Sequence, residues 1–264
     1  MSEDSKWAVI TGASSGIGKA LAFEFAAGGF NLFLTGRNEV TLAAVAAECA
    51  RRHSVETEVV PADLSAREGV ESLVAALGSR PYIYEVLVNN AGFGIQGSFA
   101  STSIDENIDL LNVQLTAALT LTRTMLPAMV SRGRGRILFV ASVYSFSAVP
   151  LQSVYAASKA FLLSFSSSLA NELRETGVTV TVFCPGVTQT EFRSRTGIAE
   201  RNSRSGMTAE TAGRVAYIET LRGTHIVVPG FFNRIFVVVV QLLPQSWVPA
   251  LVRFINRRRG QGLV

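Results

Sequence analysis

The chain has 264 residues, of which 48% are apolar and 17% are charged. This composition argues against a disordered protein and against a coiled coil, and the length suits one large α/β domain. The net charge is +4, and four arginines without an acidic residue lie within the last fourteen residues. The remainder is neutral overall, so we expect no nucleic-acid partner.

The cysteine and histidine content gives a first indication of the environment. Cys49, Cys184, His53 and His225 are too few and too scattered for a disulfide framework or a zinc site. We therefore expect a reducing, cytoplasmic location and no metal. The acidic start of the chain shows no secretory signal pattern, and the apolar run at 235–240 is far shorter than the ~20 residues of a membrane-spanning helix.

Short β-branched runs alternate with longer helical patterns along the chain. Most of these runs are continuously apolar, which is typical of a parallel sheet covered on both faces, and the alternation predicts a doubly wound α/β fold. The predicted strands are residues 7–11, 30–35, 57–61, 85–88, 136–142, 178–183 and 225–228. The predicted helices are residues 17–28, 38–52, 66–78, 103–131, 153–176 and 208–222.

Two segments depart from this alternation. Residues 188–207 are long and polar for a connection, and we expect them to form a lid or binding loop. The apolar extension 230–264 predicts one or two helices broken at Pro244 and Pro249. We expect it to pack on the same domain or on a neighbouring subunit. Its aromatic residues, valines and terminal arginines are also compatible with weak peripheral membrane contact.

The first predicted strand leads into a glycine-rich turn, TGASSGIG, and then into a helix. Glycines permit a tight turn and let backbone N–H groups approach a pyrophosphate at the positive end of that helix. A tight turn without a ligand is the alternative, but the position after the first strand favours dinucleotide binding. The candidate phosphate-binding residues are Gly12, Ser14, Ser15, Gly16, Ile17 and Gly18.

The second predicted strand ends in Gly36, Arg37 and Asn38. NAD-binding folds place an acidic residue here to hold the ribose 2′-hydroxyl, and this chain has none. An arginine can instead pair with a 2′-phosphate and stack on adenine. Arg37 therefore favours NADP(H) over NAD, with a solvated surface arginine as the alternative.

The glycine turn is followed in order by NNAG at 89–92, Ser142 and YAASK at 155–159. With these motifs, the chain resembles the short-chain dehydrogenase/reductase family from residue 6 to about residue 190. The resemblance implies a seven-stranded Rossmann-like subunit, usually dimeric or tetrameric, that transfers hydride between nicotinamide and a carbonyl or alcohol. The catalytic domain would then span residues 1–229, with the helical C-terminal extension following it.

Tyr155 and Lys159 are four residues apart in a predicted helix, so their side chains share one face. A neighbouring ammonium and an oxidised nicotinamide would lower the tyrosine pKa from about 10, which suits Tyr155 to proton exchange with the substrate oxygen. Lys159 would also hold the cofactor ribose. It is one of only three lysines beside 21 arginines, which argues against a solvated pair. Ser142 follows the fifth predicted strand and would orient the substrate oxygen; a capping serine is the alternative.

The resemblance also implies further cofactor contacts. The residues implied near adenine and the cofactor ribose are Asp63, Leu64, Asn90, Ala91 and Gly92. Taken alone, Asp63 is equally compatible with a loop cap, and Asn89 would rather tie neighbouring strands together. The segment PGVTQT resembles the nicotinamide clamp of the family, with Thr190 near the phosphates. Its implied cofactor contacts are Pro185, Gly186, Val187, Thr188 and Thr190.

One position departs from the family pattern. Many members carry an asparagine in the helix after NNAG, and the spacing places that position at Gln114 rather than at Asn112. Two residues along a helix turn a side chain by about 200°, so Asn112 would point the other way. Either Gln114 substitutes with one extra methylene, or the proton relay is arranged differently.

We predict an NADP(H)-dependent carbonyl reductase or alcohol dehydrogenase for a mainly apolar substrate, because Phe93, Val143, Phe146 and Val149 flank the expected cleft. Two alternatives stay open. One is a 3-oxoacyl thioester reductase, in which the arginines of residues 188–207 would bind an anionic carrier or coenzyme A. The other is a non-catalytic NADP-sensing or scaffold protein. We also expect a homodimer or homotetramer.

Overall fold

Side chains of successive strand residues enter two different hydrophobic cores, one on each face of a sheet. The computed structural model describes residues 6–190 and 206–258. In the first strand, Trp7 and Val9 pack into one core, whereas Ala8 and Ile10 pack into the other. Continuous apolar strands are therefore required, because both faces of the sheet are buried.

The described residues form nine strands. They are β1 (Lys6–Thr11), β2 (Asn31–Gly36), β3 (Thr57–Pro61), β4 (Ile83–Asn89), β5 (Gly135–Val140), β6 (Val178–Phe183), β7 (Thr188–Gln189), β8 (Met207–Thr208) and β9 (Ile226–Val227). Seven of them form one parallel sheet in the order β3-β2-β1-β4-β5-β6-β9. The predicted doubly wound, Rossmann-like fold with seven parallel strands is confirmed.

Nine α-helices accompany the strands in the described residues. They are α1 (Gly16–Ala27), α2 (Glu39–His53), α3 (Arg67–Gly78), α4 (Ile104–Leu111), α5 (Ala117–Ser131), α6 (Ser153–Glu172), α7 (Ala209–Arg222), α8 (Phe231–Leu242) and α9 (Val248–Arg258). Helices α3, α5 and α6 contribute to the core that contains Trp7, and α1, α2 and α7 contribute to the core on the other face. In a parallel sheet this arrangement leaves the carboxyl ends of all strands at one edge.

The helix predicted over residues 103–131 is divided. Helices α4 and α5 are separated by a π-helical turn, Asn112–Thr116, which the periodicity of the sequence did not reveal. A π turn accommodates one extra residue within a helix and often occurs at functional sites. Gln114 lies in this turn and is buried.

The segment predicted as a lid loop is flanked by a small second sheet. β7 and β8 pair in parallel, Thr188 with Met207 and Gln189 with Thr208, so the two ends of this segment lie side by side. Residues 191–205, including the arginines proposed to bind an anionic carrier, lie outside the described residues.

The C-terminal extension forms α8 and α9. The chain breaks between them around Pro244, as predicted, but the predicted break at Pro249 is wrong. Pro249 lies in the first turn of α9, where a missing N–H costs no helical hydrogen bond. Among residues 6–190 and 206–258, no helix combines the length and hydropathy that crossing a membrane would require.

Candidate active site

The turn between β1 and α1 has a backbone shape that depends on glycine. Gly12 and Gly16 have positive φ angles of 65° and 55°, and a Cβ added to Gly18 would overlap the Gly12 carbonyl oxygen and the Asn90 side-chain nitrogen. Ser15 precedes α1 with extended backbone and makes no side-chain capping bond. The first N–H groups of α1 have no partners within the helix and carry the positive end of its dipole. This cradle fits the pyrophosphate of a dinucleotide.

A hydrogen-bond network fixes the cradle to the next strand. The Thr11 hydroxyl oxygen accepts the backbone N–H groups of Asn90 (3.0 Å) and Ala91 (2.9 Å). The Asn90 side chain donates to the carbonyl oxygens of Thr11 (2.9 Å) and Gly12 (3.2 Å). The expectation that Asn89 ties the strands together is therefore wrong. Asn89 instead donates to the Thr122 hydroxyl of α5, because its side chain points to the opposite face of the sheet.

The residues assigned to the adenine end follow β2 and β3 at the same edge of the sheet. Arg37 is exposed, and Leu64 is buried. Asp63 accepts the backbone N–H and the hydroxyl of Ser65, at 3.0 and 2.8 Å. The Ser65 N–H lowers the pKa of Asp63, and the charge of Arg37 lowers it further. Asp63 thus acts as a loop cap in this structure, and Arg37 lies close enough to influence it electrostatically.

The three residues predicted to carry the chemistry lie together. Ser142 follows β5, and its side chain is hydrogen-bonded to that of Tyr155 in α6. The Ser142 oxygen also accepts the backbone N–H of Tyr144 at 3.2 Å, which orients the serine hydroxyl. Lys159 lies one turn after Tyr155, with its Nζ 5.6 Å from the centre of the Tyr155 ring and 3.0 Å from the Val140 carbonyl oxygen. All three side chains are buried.

Desolvation dominates the protonation of this group. Burial raises the pKa of Tyr155 above its usual value of 10, and the Ser142 hydrogen bond opposes part of that increase. Burial also lowers the pKa of Lys159 from 10.5 to about 7. In the protein alone, burial outweighs any lowering of the Tyr155 pKa by the neighbouring ammonium, because removal from water favours the neutral form of both side chains. The expected lowering by oxidised nicotinamide stays a prediction.

Gln114 points into the site from the π turn. Its Nε2 donates to the Phe93 carbonyl oxygen at 2.8 Å, and its Oε1 lies 3.4 Å from the Ser158 hydroxyl, next to Lys159 in the sequence. A Cβ on Gly92 would lie 3.2 Å from the Gln114 side chain, so glycine there allows the close approach. Asn112 points elsewhere and donates to the Ser65 carbonyl oxygen. Gln114 therefore links the loop after β4 to the helix that carries Tyr155 and Lys159.

The segment that follows β6 contacts both the catalytic group and the glycine turn. The Pro185 carbonyl oxygen accepts the N–H of Val143, next to Ser142. The Thr188 hydroxyl donates to the Gly186 carbonyl oxygen. Thr190 lies against the glycine turn, because a Cβ on Gly16 would be 3.1 Å from its methyl group. The segment predicted to clamp nicotinamide thus runs from the catalytic group to the phosphate cradle.

The C-terminal extension adds contacts that the sequence did not indicate. A Cβ on Gly186 would overlap the side chain of Asn233, in the first turn of α8. The Tyr144 hydroxyl lies 3.5 Å from Oδ1 of Asn256 in α9. A third apolar cluster joins residues near the catalytic turn, including Val149, to α8 and α9. The extension therefore packs against the turn after Ser142 and the start of α6, and no motif marks its polar contacts in advance.

Comparisons with known proteins agree on the class of this fold and site. A family model described as short chain dehydrogenase matches residues 6–201. A very-long-chain 3-oxoacyl-CoA reductase from Laccaria bicolor is 39% identical over 178 residues, which are 66% of this chain and 52% of that protein. A dehydrogenase/reductase SDR family protein 7-like from Anopheles gambiae is 33% identical over 80% of this chain and 68% of its own length. The chain spans about half the length of the 3-oxoacyl-CoA reductases it matches.

Solved structures show the same architecture. A short-chain dehydrogenase from Sphingobium yanoikuyae in complex with NADPH is 29% identical, with a TM-score of 0.81 over 92% of this chain and 97% of that one. A structure described for 7beta-hydroxysteroid dehydrogenase stereoselectivity is 26% identical, with a TM-score of 0.84 over 94% of this chain and 96% of the other.

Proposed function

This chain belongs to the short-chain dehydrogenase family, and on that premise we propose that it is an NADP(H)-dependent oxidoreductase. It acts on the carbonyl group or secondary alcohol of a mainly apolar substrate. The observation that carries the proposal is the buried group in which Ser142 is hydrogen-bonded to Tyr155, with Lys159 one helical turn away. This group lies at the sheet edge that also holds the glycine cradle.

The positions of these residues define the proton chemistry. Burial keeps the Tyr155 phenol protonated at neutral pH, so its Oη can donate a proton to a substrate oxygen as that oxygen gains negative charge. Ser142 holds the same oxygen through its hydroxyl, which the Tyr144 N–H orients. Bound NADPH supplies the hydride. The Tyr155 oxygen would take the proton back, as the phenolate, when the enzyme oxidises an alcohol.

Cofactor selection rests on the end of β2. Arg37 is exposed beside the sheet edge and has no acidic neighbour at Gly36 or Asn38. Its guanidinium can pair with a 2′-phosphate in a bidentate manner, whereas a ribose 2′-hydroxyl would find no carboxylate there. NADPH bound to the similar protein from Sphingobium yanoikuyae supports the same choice.

A 3-oxoacyl thioester is the substrate class with the most specific support. Several relatives named very-long-chain 3-oxoacyl-CoA reductase are 36–39% identical to this chain. The apolar cluster formed by α8, α9 and the turn after Ser142 offers a surface for an acyl chain. Because the chain matches only about half of those proteins, their activity is a proposal for this one.

The test measures turnover of a series of substrates through the decrease in NADPH absorbance. We expect turnover of 3-oxoacyl-CoA substrates that improves with acyl length, beside weaker turnover of free apolar ketones. If the protein reduces free ketones but no 3-oxoacyl-CoA, the thioester proposal is wrong and the protein is a carbonyl reductase. Binding of NADPH without turnover on any substrate would favour the sensor or scaffold alternative and overturn the enzyme.

Location and assembly complete the proposal. We propose a cytoplasmic protein, because Cys49 and Cys184 are both free and buried and a reducing compartment keeps thiols in that state. We also propose a homodimer or homotetramer, because members of the family usually form one of these assemblies. Sedimentation at several protein concentrations measures the assembly directly.

A further inference from the structure

The C-terminal helices have two apolar sides, of which only one is covered. The inner stripe of α8, with Val237 and Val240, is buried, and Val248 and Val252 of α9 are buried beside it. Val240, Val248 and Val252 pack into one cluster with Val149. The outer stripes of both helices therefore face away from that cluster. We call this second side the outer face.

The outer face consists of large apolar side chains at helical spacing. On α8 they follow one another at i, i+4, i+7 and i+11, opposite the buried stripe. Exposure reaches 81% for Leu242, 73% for Phe231 and 65% for Trp247. The residues that define the outer face are Phe231, Ile235, Val238, Leu242, Trp247 and Phe254. A monomeric protein rarely exposes so many large apolar side chains on one surface.

Charge identifies the partner. From Pro229 to the last residue the chain has five arginines and no aspartate or glutamate. Arg234 and Arg253 are exposed on the two helices that carry the outer face. The charge of Arg234 also acts on Glu219 of α7, but the segment itself has no acid, and apolar and aromatic side chains beside cations match the interface of an anionic lipid bilayer. A second copy of the chain is a poorer partner, because a symmetric contact would bring arginines together with no acid of this segment between them.

We propose that the outer face of α8 and α9 docks on membrane surfaces that contain anionic phospholipid. The contact is peripheral: the aromatic and aliphatic groups enter the headgroup boundary while the arginines pair with lipid phosphates. The covered side of the same helices forms the wall next to Tyr144 and Val149, so docking brings the substrate side of the site close to the lipid. The proposal rests on the surface alone and does not depend on the proposed activity.

The two tryptophans provide a direct readout. Trp7 is 2% exposed in the core and Trp247 is 65% exposed on the outer face, so a change in tryptophan emission on binding reports on Trp247. We expect the full-length protein to float with vesicles of phosphatidylcholine and phosphatidylglycerol, with a blue shift of its emission. Lipids brominated on the acyl chain should quench that emission. Vesicles of phosphatidylcholine alone should bind at least about tenfold more weakly, and high salt should weaken binding to the anionic vesicles.

Substitutions distinguish lipid docking from its alternatives. The double variant Phe231→Ser, Leu242→Ser should lose about tenfold or more in vesicle partitioning, since it removes two apolar anchors. The control Phe99→Ser, Ile104→Ser changes two other exposed apolar residues, 62% and 60% exposed, and should bind like the parent. Unchanged melting by circular dichroism establishes that both variants fold.

Three results would overturn the proposal. The first is no flotation and no emission shift of the parent protein with anionic vesicles. The second is equal binding to neutral and anionic vesicles. The third is an emission shift that depends on protein concentration in the absence of lipid, accompanied by a dimer in sedimentation. If the Phe231→Ser, Leu242→Ser variant loses both the shift and the dimer, the outer face is a contact between copies of the chain. NADPH turnover is not used in any of these tests, so their failure leaves the proposed function untouched.

Discussion

Asn90 and Gly18 approach each other so closely that the Asn90 side-chain nitrogen occupies the space a Cβ of residue 18 would need. That nitrogen also donates to the carbonyl oxygens of Thr11 and Gly12, so it cannot move without releasing the turn. Gly12 is restricted to glycine for two separate reasons: its φ is positive, at 65°, and a Cβ there would lie 2.9 Å from the same Asn90 nitrogen. The phosphate cradle is thus shaped by one amide group of the neighbouring strand.

We expect Gly18→Ala to abolish NADPH binding, because the added methyl group displaces Asn90 and opens the cradle. Gly78→Ala is the matched control, since a Cβ at Gly78 meets no atom within 4 Å. Cofactor binding is measured by NADPH fluorescence and by the cofactor-induced rise in melting temperature. Retained binding by Gly18→Ala would contradict the assignment of this turn to the pyrophosphate.

The proton donor is tested by removing a single oxygen. Tyr155→Phe should lower kcat by about 100- to 10,000-fold, as expected for loss of a general acid, while NADPH affinity changes little. Tyr84→Phe removes a hydroxyl that donates to the Leu77 carbonyl oxygen away from the site, and it should keep parental activity. If Tyr155→Phe retains high activity, another group supplies the proton.

Cofactor preference is tested by charge reversal at the end of β2. Arg37→Asp should shift the ratio of kcat/KM for NADPH and NADH toward NADH by about 10- to 100-fold, because a charge-assisted phosphate contact is lost and a ribose partner is gained. Arg174→Asp, at an exposed position after α6, is the control for the change in net charge. If the ratio of kcat/KM for NADPH and NADH is unchanged in Arg37→Asp, Arg37 does not select the cofactor.

The burial of Lys159 predicts a pH dependence of stability. Its pKa is about 7 when folded and close to 10.5 when exposed, so between these values the unfolded chain binds more protons than the folded one. The free energy of unfolding therefore rises with pH from about 7 toward 10.5, and it is lowest below pH 7. Lys159→Met should flatten this rise in thermal unfolding between pH 7 and 9.5, whereas Lys19→Met, at an exposed position, should leave it in place. If the stability of Lys159→Met rises with pH as much as that of the parent protein, other titrating groups cause the rise.

Gln114 is expected to contribute to stability through the loop after β4. Gln114→Leu keeps the approximate volume but leaves the Phe93 carbonyl oxygen without its 2.8 Å donor, at a cost of about 1–3 kcal/mol. Gln114→Asn has the same amide on a shorter side chain and should recover only part of that loss. Denaturant unfolding measures the difference. Parental stability in Gln114→Leu would show that the Phe93 contact is energetically neutral.

The sequence was sufficient for the sheet and for the members of the candidate site. Continuous apolar runs that alternate with helical patterns indicated the buried parallel strands, whereas the similar run at 235–240 is helical in α8. The glycine turn, Tyr155 and Lys159 are recognisable because their residue types are demanded by the chemistry. The structure brings Ser142, Tyr155 and Lys159 together as expected. Their roles in catalysis stay predictions until the variants are measured.

Other features depend on three-dimensional packing that local patterns do not contain. Asn90 rather than Asn89 ties the neighbouring strands together, because two adjacent asparagines differ only in which face of the strand they occupy, and Asn89 bonds to Thr122 of α5. The raised pKa of Tyr155 follows from burial by the whole domain, whereas its sequence neighbours suggested the opposite direction. Asn233 reaches Gly186 from a helix that carries no motif.

The π turn at Asn112–Thr116 sets the phase of the helix that follows it. It holds one more residue than an α-helical path would, and the inward direction of Leu121, Met125 and Met129 depends on that surplus. Removing one residue from a helix rotates everything downstream by about 100°. Deleting Val113 would remove that surplus and let α4 run into α5 as one α-helix with its core-facing stripe still in place, whereas a deletion inside α5 would turn the residues after it away from the core.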